Sequence, residues 1–147
     1  MLTVAGYQLD PDRYYDPDYN LWLVGLDQQR VRIGLDPLGA DTTGDIVAIS
    51  FVPVGTRVRR GDALANIEAA KFVGPLPAPA AGVAIATSDR VLDAPGVINA
   101  DPLGTWLVEL GEVDPADLEH LLSGKDAISS WFADAVARFR QLGALAE

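Results

Sequence analysis

The chain has no cysteine, one histidine (His120) and one methionine in 147 residues. Without cysteine there can be no disulfide scaffold, no thiolate metal site and no cysteine nucleophile. One histidine cannot furnish a His-based metal cluster, and it makes a serine triad a poor reading. Long apolar runs are missing too: none approaches the ~20 residues of a membrane-spanning helix. The start, "MLTVAGYQLDPD", lacks the features of a secretory signal. The expectation from these absences is a cytoplasmic protein with no membrane partner. Positive charge is scarce, with 11 Lys and Arg against 21 Asp and Glu and a formal net charge of -10. Nucleic-acid binding depends on clustered basic residues, so no nucleic-acid partner is expected. Acidity of this kind serves solubility, or docking to a basic cleft.

What is present is dominated by strand patterns. "RVRIGLD" alternates Val31 and Ile33 with Arg30 and Arg32. "GDIVAISFVPVG", "TRVRRGDALANIEA", "GVAIATS" and "TWLVEL" are further strand candidates, separated by glycine and proline turns. Such spacing suggests a small sandwich or barrel. "GDIVAISFVPVGTRVRRGD" is echoed by "GVAIATSDRVLDAPGV", which points to two similar β units with Lys71 between them.

The ends of the chain read differently. In "DPDRYYDPDYNLWLVG" the two Asp-Pro pairs favour turns or a helix start, and Tyr14, Tyr15, Tyr19 and Trp22 pin the segment to a core. Past residue 111 the period becomes helical. Asp114 is an N-cap with Pro115 behind it, and Gly124 ends the expected helix. An apolar stripe then runs through Ile128, Trp131, Phe132, Ala135, Val136, Phe139 and Leu142. It packs on the β core or serves as a partner-binding face. The expected division is a β domain over 1–111 and a helical extension over 112–147.

One of the two lysines, Lys71, lies in "NIEAAKFVGPLPAP". Strands over 63–69 and 73–79 would put Ala70, Lys71 and Phe72 at a hairpin tip. Pro75, Pro77 and Pro79 would keep the second strand from extending a sheet. An exposed lysine amine is protonated at neutral pH and is a poor catalyst. It is a good tether, because a group on a long stem reaches a high local concentration. A solvated turn lysine and a tether are both open from the residues alone.

"GDIVAISFVPVGTRVRRGDALANIEAAKFVGPLPAPAAGVAIA" resembles the lipoyl-carrying segment of the glycine-cleavage H-protein family. Gly44, Asp45, Ile46, Val47, Pro53, Gly55, Val58, Gly61, Glu68, Lys71, Pro79 and Gly82 fall in step with its pattern. "VINADPLGTWLVEL" and "RVRIGLD" resemble two further family segments, so the likeness runs approximately from residue 14 to 110. The resemblance implies a mainly β, lipoyl-type barrel-sandwich hybrid of two quasi-symmetric units, with a short N-terminal helix and C-terminal helices. It also implies lipoate amide-linked to Lys71, with Glu68 as a recognition mark for the ligase. The chain would be a carrier and not an enzyme.

There are departures. "YNLW" stands where the family has His-Glu-Trp, Ala69 replaces a serine, and "DPLGTW" is a residue short. "DRYYDPDYNLW" and "KFVGPLPAP" resemble segments of the H-like lipoate-binding proteins of bacterial sulfur oxidation. That branch implies sulfur carried for a heterodisulfide-reductase-like complex; the alternative is an aminomethyl group carried among glycine-cleavage enzymes. Either branch implies a lipoate-protein ligase or lipoyl synthesis enzymes as partners, and dihydrolipoamide dehydrogenase as a further candidate. Biotin carriers usually set Met on both sides of the lysine, where this chain has Ala70 and Phe72. An unmodified interaction module is the remaining alternative.

Overall fold

The structure is a computed structural model that describes residues 1–143 and 145. Among the described residues there are eleven strands: β1 Leu2–Val4, β2 Tyr7–Leu9, β3 Tyr14–Asp16, β4 Leu21–Gly25, β5 Val31–Leu35, β6 Ile46–Phe51, β7 Arg57–Val58, β8 Ala63–Ala69, β9 Val73–Pro77, β10 Gly82–Thr87 and β11 Val108–Gly111. The helices are α1 Pro37–Thr43, α2 Asp89–Asp93, α3 Val97–Ala100 and α4 Lys125–Gln141, with one 3-10 turn at Pro115–Leu118. Among the described residues no helix is long and apolar enough to cross a membrane.

A six-stranded sheet in the order β3-β4-β5-β11-β10-β7 faces a three-stranded sheet in the order β6-β8-β9. Ile33, Leu110, Leu64 and Ile67 belong to the core cluster that joins them. Strand β4 explains the second layer. Leu21 and Leu23 enter the inter-sheet core, while Trp22 belongs to a separate cluster with Tyr15, Ile128, Phe132 and Val136. Alternate side chains of a strand point to opposite faces, so a strand covered on both sides is apolar throughout. Gly34 lies opposite Trp22 in the register, and a Cβ there would fall 2.4 Å from the indole. Only a glycine leaves room for that ring.

Helix α4 supplies the outer cover. Ile128, Phe132, Ala135 and Val136 are buried, Trp131 and Phe139 are half-buried, and Leu142 is exposed. The C-terminal stripe therefore packs against the β core along most of its length.

Three details differ from the sequence reading. The short helix of the N-terminal part is α1, and the first sixteen residues form strands and turns instead. Asp10 and Asp16 accept hydrogen bonds from the N–H groups of Asp12 and Asp18, so both Asp-Pro pairs make turns. The segment after Asp114 is a single 3-10 turn, not a helix reaching Gly124. Leu122 exchanges backbone hydrogen bonds of 2.9 Å with Tyr15 instead. Gly124, at φ +86°, is the residue from which α4 starts. The two echoed units each open with a strand, β6 in one sheet and β10 in the other. Beyond these strands they part: the first runs on to β7, the second into α2.

Candidate functional site

Strands β8 and β9 pair antiparallel, with Glu68 opposite Val73, and the Ala69 N–H donates to the Phe72 carbonyl at 2.8 Å. Ala70, Lys71 and Phe72 form the turn, and all three are exposed. The turn is nevertheless held firmly. Ala70 N–H donates to the Asp45 carbonyl and Lys71 N–H to the Thr43 carbonyl, each at 3.0 Å. Gly44 lies between these two acceptors at φ +79°. A Cβ at Gly44 would sit 3.2 Å from both Ala70 Cβ and Lys71 Cγ. Both conformation and space call for glycine there.

Lys71 enters no ion pair among the described residues, and neither does Glu68. Glu68 is exposed on β8, three residues before the lysine. The backbone around the amine is fixed, while the side chain that carries it is exposed. That combination suits a side chain that an enzyme must first find and then modify.

A groove with a cavity volume of about 400 Å³ opens beside the turn. Leu35, Ile67, Phe72 and Leu76 give it an apolar lining, and Tyr19, Asn20, Thr42 and Thr43 give it polar edges. Phe72 and Thr43 connect it to Lys71, one through the chain and one through the hydrogen bond just described. The Phe72 ring lies over Gly74, where a Cβ would come within 3.0 Å of it. Pro75 and Pro77 complete the wall on β9, an edge strand of its sheet.

Behind the groove lies a carboxylate that the sequence reading did not single out. Asp36 is fully buried and caps α1 by accepting the Gly39 N–H at 2.7 Å. The Asn20 carboxamide donates to its other oxygen at 3.3 Å. Burial pushes the Asp36 carboxyl from 3.8 up to about 6, against the pull of the hydrogen bonds from Gly39 and Asn20. A raised carboxyl pKa means the folded chain holds a proton that the unfolded chain has released. The group's contribution to stability is full below its unfolded value of 3.8 and is lost as pH rises through about 6. An Asp36→Asn chain is neutral throughout and keeps an oxygen for the Gly39 N–H. Its stability relative to the parent should grow between pH 4 and 7 by about 3 kcal/mol. Urea unfolding at a series of pH values measures this, and a constant difference would show that Asp36 titrates normally. The Asp-Pro signal that marks a helix start was present at Asp36 and Pro37, hidden behind the strand pattern of "RVRIGLD".

A second polar cluster ties the groove wall to the rest of the molecule. The Arg60 guanidinium donates to Asp16 at 2.6 Å, Asp18 at 2.8 Å and the Pro79 carbonyl at 2.8 Å. It also stacks 4.7 Å from the centre of the Tyr19 ring. His120 Nε2 lies 2.8 Å from it and faces it as an acceptor, since an arginine only donates. Asp101 accepts the Gly104 N–H in a turn, and Trp106 is half-buried beneath Arg32, so both play structural parts.

Two small facing β-sheets that present a braced, exposed lysine at a hairpin tip define a carrier domain of the lipoyl type. The comparisons agree. The family model described as "Glycine cleavage H-protein" matches residues 13–132, and the chain belongs to that family. It is 30% identical over 125 residues to "Glycine cleavage system H protein 2" of Aquifex aeolicus (strain VF5), covering 84% of this chain and 78% of that protein. It is 35% identical over 119 residues to the glycine cleavage system H protein of Listeria monocytogenes serotype 4b (strain CLIP80459), covering 80% and 94%. The crystal structure of a glycine cleavage system H protein from Mycobacterium marinum superposes with a TM-score of 0.72 at 26% identity, covering 87% of this chain and 99% of that one. Members of the family are non-enzymatic carriers with lipoate attached covalently to a lysine. The site here fits that group: an exposed lysine stands at its tip, and an apolar groove beside it suits an alkyl chain and a dithiolane ring.

Proposed function

We propose that the lipoyl group is amide-linked to Nζ of Lys71 and that the chain serves a glycine-cleavage-type multienzyme system. The observation that carries this is the turn itself: its backbone N–H groups are tied to Thr43 and Asp45 while its amine enters no ion pair among the described residues. When bound, lipoate supplies a dithiolane that opens to a dithiol, one sulfur of which bears the cargo. The protein's part is to anchor, present and shelter. Lys71 anchors, Phe72 and Ile67 offer apolar cover, and Glu68 marks the turn for the lipoate-protein ligase or the lipoyl synthesis enzymes. The absence of cysteine leaves no protein thiol to exchange with the carried sulfur.

The partners that follow are glycine-cleavage enzymes and dihydrolipoamide dehydrogenase, and a cytoplasmic setting belongs to the same proposal. We also take residues 112–147 as an appendage clasping a lipoyl domain over 1–111. Its support is the buried face of α4 against Trp22 and Tyr15.

One observation favours a second reading, the carriage of sulfur for a heterodisulfide-reductase-like complex. The two segments that resemble that branch converge on one groove. Asp18, Tyr19 and Asn20 come from one, and Phe72, Pro75, Leu76 and Pro77 from the other. Charging experiments separate the two. The lipoylated chain is incubated with glycine and glycine decarboxylase, or with a sulfane-sulfur donor, and its intact mass is read. Gain of the aminomethyl group supports the first reading. Gain of sulfur alone supports the second.

A further inference from the structure

Asn99 lies on α3, well away in sequence from the turn it serves. Its carboxamide is fully engaged. Oδ1 accepts the Ile46 N–H at 2.9 Å, and Nδ2 donates to the carbonyls of Gly44 at 2.8 Å and Ala40 at 3.3 Å. A carboxamide offers one oxygen and two N–H groups, and here all of them are directed at one short segment.

That segment is irregular. Helix α1 stops at Thr43, Gly44 turns at φ +79°, and β6 begins at Ile46 with a register shift before Ala48. Backbone groups at such a junction need partners from outside regular structure. Asn99 supplies them on one side, and the opposite side faces the lysine. The carbonyls of Thr43 and Asp45 accept from Lys71 and Ala70, while the carbonyl between them accepts from Asn99. The segment is a strap with the lysine turn on one edge and Asn99 on the other.

We infer that Asn99 is a positioning residue for the acylation of Lys71. It fixes the strap, the strap fixes the turn, and the modifying enzyme meets the lysine in a single backbone conformation. The inference rests on the reading of Lys71 as the attachment point. In the step concerned, Nζ attacks the acyl carbon of a lipoyl–nucleotide mixed anhydride. The amide C–N bond forms, the nucleotide leaves with the electron pair of the broken anhydride bond, and the ammonium gives up two protons in all. Neither Asn99 nor the strap touches the reacting atoms.

A ligase that binds one conformation of the turn sees an affinity reduced by the fraction of chains in that conformation. Asn99→Ala should therefore raise the KM for lipoylation about tenfold and leave kcat within about twofold. Amide exchange at Ala70 and Lys71 should quicken, while Ile33 and Val108, paired in the other sheet, keep their protection. Val136→Ala serves as a control, since Val136 is fully buried in the α4 cluster and, unlike Asn99, has no side-chain group to hydrogen-bond the strap. It should lower the melting temperature without changing KM, with all assays run well below every variant's transition. Asn99→Asp keeps the acceptor for Ile46 but sets an acceptor against two carbonyls, and should be no better than Asn99→Ala.

An unchanged KM in Asn99→Ala, an equal rise in Val136→Ala, or unaltered exchange at Ala70 and Lys71 each overturns the inference. If the parent chain takes up no lipoyl group at Lys71, the carrier reading fails, and the exchange data still decide whether Asn99 fixes the turn. If the parent is modified and Asn99→Ala matches it, the positioning role alone falls.

Discussion

A Lys71→Arg chain, produced with lipoate and a lipoate-protein ligase, is expected to keep its unmodified mass, whereas the parent gains one lipoyl group. Arginine preserves the charge and much of the length, so the turn and its backbone hydrogen bonds should survive. It removes the nucleophile, because a guanidinium stays protonated and is not acylated under these conditions. The chain contains one other lysine, Lys125, which lies at the first position of α4 and not on a hairpin tip. The two sites are easily told apart by peptide mapping. A lipoyl group on Lys125, or a Lys71→Arg chain that still gains mass, would remove the basis of the proposed function. Because the substitution leaves the fold intact, the melting temperature of Lys71→Arg should match that of the unmodified parent.

The largest expected loss of stability comes from Arg60. Asp16 is fully buried, and the Arg60 guanidinium is its charged partner at 2.6 Å. Arg60→Met keeps the aliphatic stem and strips the carboxylate of that partner, leaving it the Asp18 N–H. Removing one member of a buried pair costs about 3–5 kcal/mol; about 3 is expected here, since the Arg60 side chain is itself 31% exposed. Denaturant unfolding at neutral pH should show that loss as a lower midpoint with an unchanged slope. Adding Asp16→Asn to Arg60→Met should recover part of it, because the uncompensated charge is then gone. If Arg60→Met unfolds at the parent's midpoint, the hub carries no weight. The contacts predict a further outcome: the groove wall formed by Asp18 and Tyr19 should loosen before the sheets do, since Arg60 holds both residues.

Much of this molecule could be read from residue order, and the parts that could not share a cause. The strand at 63–69 and the turn at Lys71 follow from local pattern and are where that pattern puts them, and the proline-rich return strand starts at Val73 as expected but ends at Pro77, two residues short of the expected 79. Strand β4 was harder, since "LWLVG" has no alternation. It is covered on both faces, and the second cover, α4, arrives a hundred residues later. The helix expected after Asp114 had a good cap and a good first residue. It stopped after one 3-10 turn because Leu122 found a backbone partner in Tyr15, which no local preference reveals. The same holds for the site. Lys71 and its turn were legible because spacing carries them. Asn99 and Arg60 were not, because their importance lies in partners 53 to 59 and 42 to 44 positions away. Asn99 did stand in a run matched to the family, and that match was the only available signal.

The return strand β9 has one further consequence. It forms an open border of its sheet, and two of its five residues are prolines with no N–H to offer a neighbour. Open borders of this sort are where chains zip together into polymers. Pro75 and Pro77 make that border a poor template within a few residues of the exposed turn. Crowding alone therefore gives one copy of the chain little to pair with on this border of the next.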